Sequence, residues 1–202
     1  MKISVLFTDI GGVMLTNGWD EEARERAVKK FKLDLKNLNE RHHLIFDTFE
    51  EGKLTLNEYL ERVIFHKKRN FTLREFKAFM FAQSQSYEDM INLVSALKIK
   101  YNLRVIVISN ESRELNDYRI KKFGLDTFVD AFVSSCFVHF RKPDKDIYRI
   151  ALDIVQVKPK ESVFIDDRPI FVEVASSLGI NGVHHINYKT TLKKLERFGL
   201  SL

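Results

Sequence analysis

The chain has 202 residues, 45% of them apolar and 30% charged, with a net charge of +5. That length can bury a sizeable core as one domain, or a core with a small insert. The composition is that of a globular protein and excludes a fibrous, low-complexity or disulfide-framed chain.

Basic residues are interleaved with acids, as in Glu21-Glu22-Ala23-Arg24-Glu25-Arg26, and the densest run, Lys67-Lys68-Arg69, is short. This reads as solvated helix faces, so no nucleic-acid partner is expected. The single cysteine, Cys136, rules out an internal disulfide and fits a reducing compartment. Lying in the apolar stretch 132–140, it reads as a small buried hydrophobe. No stretch is long and apolar enough to span a bilayer, and Asp9 interrupts the first apolar run before a signal peptide takes shape. The expected compartment is the cytoplasm, with no membrane partner.

Taken in chain order, the first predicted element is a strand over Ile3–Phe7, ending at Asp9 and the pair Gly11-Gly12. The segment 16–86 then has no clear strand. Asp20–Phe31 and Leu38–Phe49 look helical, and Glu51-Gly52-Lys53 looks like a turn. Thr55-x-x-Glu58 and Thr72-x-x-Glu75 are capping-box patterns, each opening an amphipathic run. The segment is expected to be an all-helical insert of about four helices. Beyond it, Met90, Leu93, Val94 and Leu97 repeat at helical spacing, and a strand follows over Arg104–Ile108. A helix around Leu115–Phe123, stopped by Gly124, leads to a strand over Ala131–Ser134. Ile147, Ile150, Ala151 and Ile154 mark a further helix before the strand Ser162–Ile165. Val172, Val174, Ala175 and Leu178 mark the next helix, and a weaker strand is expected near Gly182–Ile186. Strands alternating with helices predict an α/β fold, a Rossmann-like parallel sheet flanked by helices. The expected division is a core of 1–15 and 87–202 with a helical cap at 16–86.

In such sheets ligands collect at the carboxyl ends of strands. Those ends supply Asp9, Ser109-Asn110, Lys142 before Pro143, and Asp166-Asp167. A carboxylate nucleophile, a hydroxyl, a cation and two hard oxygen ligands suit phosphoryl transfer with a divalent ion such as Mg²⁺. This ordered set resembles the haloacid dehalogenase-like (HAD) hydrolase superfamily, whose members are mostly phosphatases. The four motifs look like Asp9-Ile10-Gly11-Gly12-Val13, Ser109-Asn110, Lys142 and Asp166-Asp167, and the insert is similar to that superfamily's C1-type cap. The resemblance implies that Asp9 attacks phosphorus and that water hydrolyses the aspartyl phosphate. It implies Mg²⁺ bound by Asp9, Asp166 and the Gly11 carbonyl, with Asp167 acting through a water. Gly11, Gly12, Ser109, Asn110 and Lys142 would bind the phosphate, and Lys142 would also offset the charge of Asp9.

One position departs from the pattern. The family's phosphatases usually carry a general acid two residues after the nucleophile, where this chain has Gly11. General acid–base help is typically worth about 10²–10⁴-fold, so a good leaving group, such as a sugar 1-phosphate or an acyl phosphate, is favoured. The expected substrate is a small phosphorylated metabolite, sugar phosphates among them. The alternatives are a haloacid dehalogenase, or a phospho-ligand binding protein without turnover. His42-His43 and His184-His185 are adjacent pairs that point apart, and they are not expected to bind metal. Trp19, His42, His43 and Phe46 are expected to serve helix packing more than a substrate pocket. Substrate identity and oligomeric state are not legible.

Overall fold

The computed structural model describes residues 2–202. Five parallel strands form one sheet: β1 (Val5–Thr8), β2 (Arg104–Ser109), β3 (Ala131–Ser134), β4 (Ser162–Asp166) and β5 (Asn181–His184), in the order β3-β2-β1-β4-β5. The sheet is covered by α5 (Glu88–Tyr101), α8 (Lys145–Val155), α9 (Pro169–Ser177) and α10 (Tyr188–Glu196), while α6 (Arg113–Lys122) follows β2 and the one-turn α7 (Ser135–Val138) follows β3. The expected Rossmann-like class is what the chain forms. The last strand is set back to Asn181–His184, leaving Ile186 63% exposed outside the sheet.

Alternation along the strands sorts side chains onto two faces. Leu6, Val105, Val107, Val163 and Ile165 join Leu93 and Leu97 of α5 and Leu195 of α10 in one cluster. Val5, Phe7, Ile106, Ile108 and Phe164 join Ile147 and Ala151 of α8 and Ala175 of α9 in the other. Burial on both faces is why these strands read as unbroken apolar runs.

Between β1 and α5 the chain forms α1 (Glu21–Phe31), α2 (Leu35–Glu50), α3 (Leu56–Val63) and α4 (Leu73–Ala82). Asp20 and Asp34 cap α1 and α2 by accepting the Ala23 and Asn37 N–H groups. Both capping boxes form, with Thr55 and Glu58 opening α3 and Thr72 and Glu75 opening α4. The insert has its own apolar cluster, centred on Trp19, Tyr59, Leu60 and Phe76, to which Leu115 of α6 contributes. The chain entering and leaving the insert runs side by side. Thr16 N–H donates to Gln85 O at 2.9 Å, and Tyr87 N–H donates to Met14 O at 2.8 Å.

The insert also rests on the core through the turn after α2. Ser135 Oγ donates to Glu50 O at 2.7 Å, and Gly52 packs so closely that a Cβ there would lie 2.2 Å from the Cys136 carbonyl oxygen. Cys136 itself is fully buried in α7.

Candidate active site

The site begins with sheet register. Thr8 lies opposite Ile165, so the next residues, Asp9 and Asp166, leave adjacent strands side by side. β1 is the central strand, where connections leave in opposite directions, and such a crevice is where ligands sit in open α/β sheets. The carboxylates of Asp9, Asp166 and Asp167 converge, each offering an oxygen within 4.8 Å of the others.

Gly12 explains the second glycine. Its φ is +69°, and a Cβ there would lie 2.2 Å from Asp167 Oδ2, so the turn needs both the left-handed conformation and the missing side chain. Its N–H is committed to Leu15 O at 2.7 Å, while the Gly11 N–H has no partner among the described residues. Gly12 thus contributes room for Asp167, and of the two glycine N–H groups only that of Gly11 is free for a phosphate oxygen. At Gly11 an added Cβ would lie 2.9 Å from Asn17 Oδ1. The carboxamide of Asn17 fills the space where a side chain in that position would begin, and its Nδ2 reaches Asp167 Oδ2 at 3.5 Å.

Lys142 is fully buried, and its Nζ lies 2.7 Å from Asp166 Oδ2 and 3.0 Å from Asp9 Oδ2. Burial alone would drive its proton off, but Asp166 and Asp9 outweigh that and hold the ammonium above its ordinary pKa. Asn110 fixes the loop that carries it. Asn110 Nδ2 donates to Lys142 O at 2.8 Å, and Lys142 N–H donates back to Asn110 Oδ1 at 2.7 Å. Ser109 is buried at the end of β2. Burial raises Asp166 to about 7, against the pull of Lys142 and with a push from Asp9. Asp167 is raised by burial and by Asp9, and its Oδ1 is buried without a partner among the described residues. A hard divalent cation fits this donor set. It would satisfy the orphaned oxygen, suit all-oxygen ligands and relieve the repulsion from Asp9 that adds to burial in raising both groups.

Above the carboxylates lies a cavity of about 300 Å³ with walls from both parts of the chain. The core side includes Asp9, Gly11, Asn110, Glu111, Arg119 and Lys142, and the insert side includes Trp19, Arg24, His42, Phe46 and Glu50. Ser109, Gly12, Asp166 and Asp167 do not line it. Trp19, His42 and Phe46, expected to serve packing, do both, since Trp19 and His42 are buried and also face the cavity. His184 and His185 lie beyond the carboxylates. His184 Nε2 is 3.1 Å from Asp167 O, and His185 Nδ1 is 2.7 Å from Thr191 Oγ1.

Sequence reasoning missed a layer of charge. Arg119 of α6 is buried, pairs with Glu111 and donates to Thr16 O at 2.5 Å, tying the core to the chain entering the insert. Arg141, next to Lys142, donates to Glu50 Oε2 through Nε at 3.0 Å and through Nη2 at 2.5 Å, reaches Asp47, and lies over Phe46. Burial lifts Glu50 to about 7, Arg141 opposing and Glu111 adding. In sequence Arg119, Asp47 and Glu50 sit on polar helix faces and Glu111 and Arg141 in loops, and only their tertiary partners distinguish them.

The model of the haloacid dehalogenase-like hydrolase family matches residues 3–179, and the chain belongs to that family. Among curated relatives it is 27% identical over 173 residues to flavin mononucleotide hydrolase 1 of Arabidopsis thaliana, covering 85% of this chain and 69% of that protein. It is 26% identical over 136 residues to a phosphorylated carbohydrates phosphatase of Thermotoga maritima, spanning 67% of this chain and only 58% of that protein. A HAD family enzyme of Bacteroides thetaiotaomicron, solved with magnesium and inorganic phosphate, superposes with a TM-score of 0.76 at 24% identity, covering 91% of this chain and 94% of that one. A HAD-like hydrolase of Porphyromonas gingivalis gives the same TM-score, 0.76, at 22% identity over 98% and 99% of the two chains. At such identities the structural likenesses show the fold.

Proposed function

We propose that this chain is a Mg²⁺-dependent phosphomonoester hydrolase of small phosphorylated metabolites, working through an aspartyl phosphate on Asp9. The observation that carries the proposal is the meeting of Asp9, Asp166 and Asp167 beside the buried Lys142, with Asp167 Oδ1 left without a partner. Asp9 and Asp166, with the Gly11 carbonyl, would hold the ion, and Asp167 would do so through a water. Bound there, the ion would neutralise charge on the transferring phosphoryl group. Residues 16–86 are read as a cap that closes the cavity and excludes water.

An Asp9 carboxylate oxygen attacks phosphorus, the P–O ester bond breaks, and the departing oxygen takes its proton from water. A second water then cleaves the acyl phosphate, releasing inorganic phosphate and restoring Asp9. Lys142, Ser109 and the Gly11 N–H hold the phosphoryl oxygens, and Asn110 positions Lys142. Without an acid at Gly11, substrates with good leaving groups, such as sugar 1-phosphates and acyl phosphates, are favoured. The Thermotoga relative's name and the neighbour crystallised with magnesium and phosphate support this reading. A cavity of about 300 Å³ suits a small metabolite, lying at the low end of ligand pockets, roughly 300–1,000 Å³. Attack on carbon in a haloacid would leave Asp166-Asp167 without a task. The single buried cysteine supports a reducing compartment such as the cytoplasm, and no helix among the described residues is long and apolar enough to cross a membrane.

The decisive assay is phosphate release from p-nitrophenyl phosphate with Mg²⁺. Activity is expected to vanish with chelator and to fall by at least about 10³-fold in Asp9→Asn. Turnover that survives both treatments refutes the proposal.

A further inference from the structure

Arg24 of α1 is only 6% exposed, yet no carboxylate lies within ion-pair distance of it among the described residues. Its Nε donates to Asn39 Oδ1 at 2.9 Å and its Nη1 to Trp19 O at 3.3 Å, and Nη2 bonds no atom of the described residues. The side chain lines the cavity. A buried guanidinium is normally paired, because leaving a charge uncompensated inside a protein is costly. The acids nearby are otherwise engaged. Asp20 caps α1, Glu21 is exposed, and Glu50 is held by Arg141.

The neighbouring His42 is 2% exposed and presents a second donor. Trp19 Nε1–H donates to Tyr59 Oη at 2.8 Å, and Tyr59 Oη lies 2.7 Å from His42 Nδ1. The indole can only donate, so the phenol satisfies its own proton by giving it to His42 Nδ1. His42 then carries its proton on Nε2, which has no partner among the described residues, and the ring lines the same cavity. Burial, with Arg24 and His43 adding, lowers the pKa of His42 to about 3, so this donor stays neutral.

We propose that Arg24 and His42 form a distal anion subsite, and that the substrate is a phosphomonoester carrying a second anionic group, such as a carboxylate, at its other end. The proposal rests on the phosphatase reading above, since the phosphoryl end is assigned to Asp9 and Lys142. The fork of Arg24 supplies Nη2 to the anion and His42 supplies Nε2–H. The compound itself thus provides the counter-ion that the insert lacks, and only an anionic substrate completes the closed cavity.

The test uses a matched pair differing in one group, 3-phosphoglycerate against glycerol 3-phosphate, with p-nitrophenyl phosphate as a separate check on catalysis. Binding of the pair to Asp9→Asn is measured by calorimetry, and kcat and KM are measured on the wild type. The acid is expected to win by at least about tenfold in Kd and in kcat/KM, chiefly through KM. In Arg24→Gln the acid-to-alcohol ratio should fall to near unity, with Arg24→Lys intermediate. The wild-type ratio needs no variant to fold, and a value of one or below in both measurements overturns the subsite. Cleavage of p-nitrophenyl phosphate with no preference for the acid sinks this proposal alone. A tenfold binding preference with no cleavage of any phosphomonoester keeps the subsite and sinks the phosphatase reading.

Discussion

At the scale of single residues, Gly11 and Asn17 define the chemical question. With no acid two positions after Asp9, and a carboxamide where that side chain would start, the site has no titratable donor at that point. Asn17 is exposed and can turn away, so Gly11→Asp is tolerable on its own and easier with Asn17→Gly. The substitution should raise the ratio of alkyl phosphate to nitrophenyl phosphate turnover by about tenfold or more, since only the alkyl leaving group needs a proton. A ratio that does not move would refute this account of the missing acid. Asp9 and Asp166 were legible because each is a charge directly after an unbroken apolar strand, where packing gains nothing from it, whereas Lys142, in a Lys-Pro loop, was singled out only within the ordered set of motifs. Arg119 and Arg141 were not legible, because each takes its meaning from distant partners, and Arg24 was not, because an arginine among acids on a helix reads as solvated until its burial is seen. Arg119 meets Thr16 O across 103 positions, and Arg141 meets Glu50 across 91.

Elements were legible where local chemistry decides them. The two capping boxes formed as read, because Thr and Glu three residues apart satisfy each other's orphan donors whatever the fold. Thr55→Ala and Thr72→Ala should each cost about 1 kcal/mol in urea unfolding. No change in either would mean that packing alone holds those helix ends. Short elements escaped notice. The helix Ser135–Val138 is one turn long and shows no periodicity, and the edge strand Asn181–His184, paired on one side only, was displaced because its apolar signal is weak. The stretch from Thr16 to Ser86 read correctly as helical, but nothing local could show that its entry and exit run together or that Arg141 reaches across to Asp47 and Glu50.

For the whole molecule, the carboxylates gathered under the insert set a pH dependence. Asp166 and Glu50 sit at about 7 when folded, against ordinary values of 3.8 and 4.5. The folded state therefore binds more protons than the unfolded one between those limits, and the stability this confers is lost as pH rises through 7. Buried histidines work the other way, but their unfolded value of 6.5 confines most of that effect to lower pH. From pH 6.5 to 8 the metal-free protein should lose about 1 to 2 kcal/mol, a few degrees in Tm. Added Mg²⁺ should raise Tm more at pH 8 than at 6.5, because the ligands must be ionised to take it. A metal-free Tm that climbs across this range would contradict the assignment. The sealed position of Cys136 has a practical corollary. It is the chain's only cysteine, and burial pushes its thiol up to about 12, so maleimide dyes will leave it untouched. Leu44 on the insert and Ile99 on the core are each 82% exposed, and cysteines placed there can carry a fluorophore pair on an otherwise wild-type background. Energy transfer between them would test whether the insert opens and closes during turnover, as the proposed function requires.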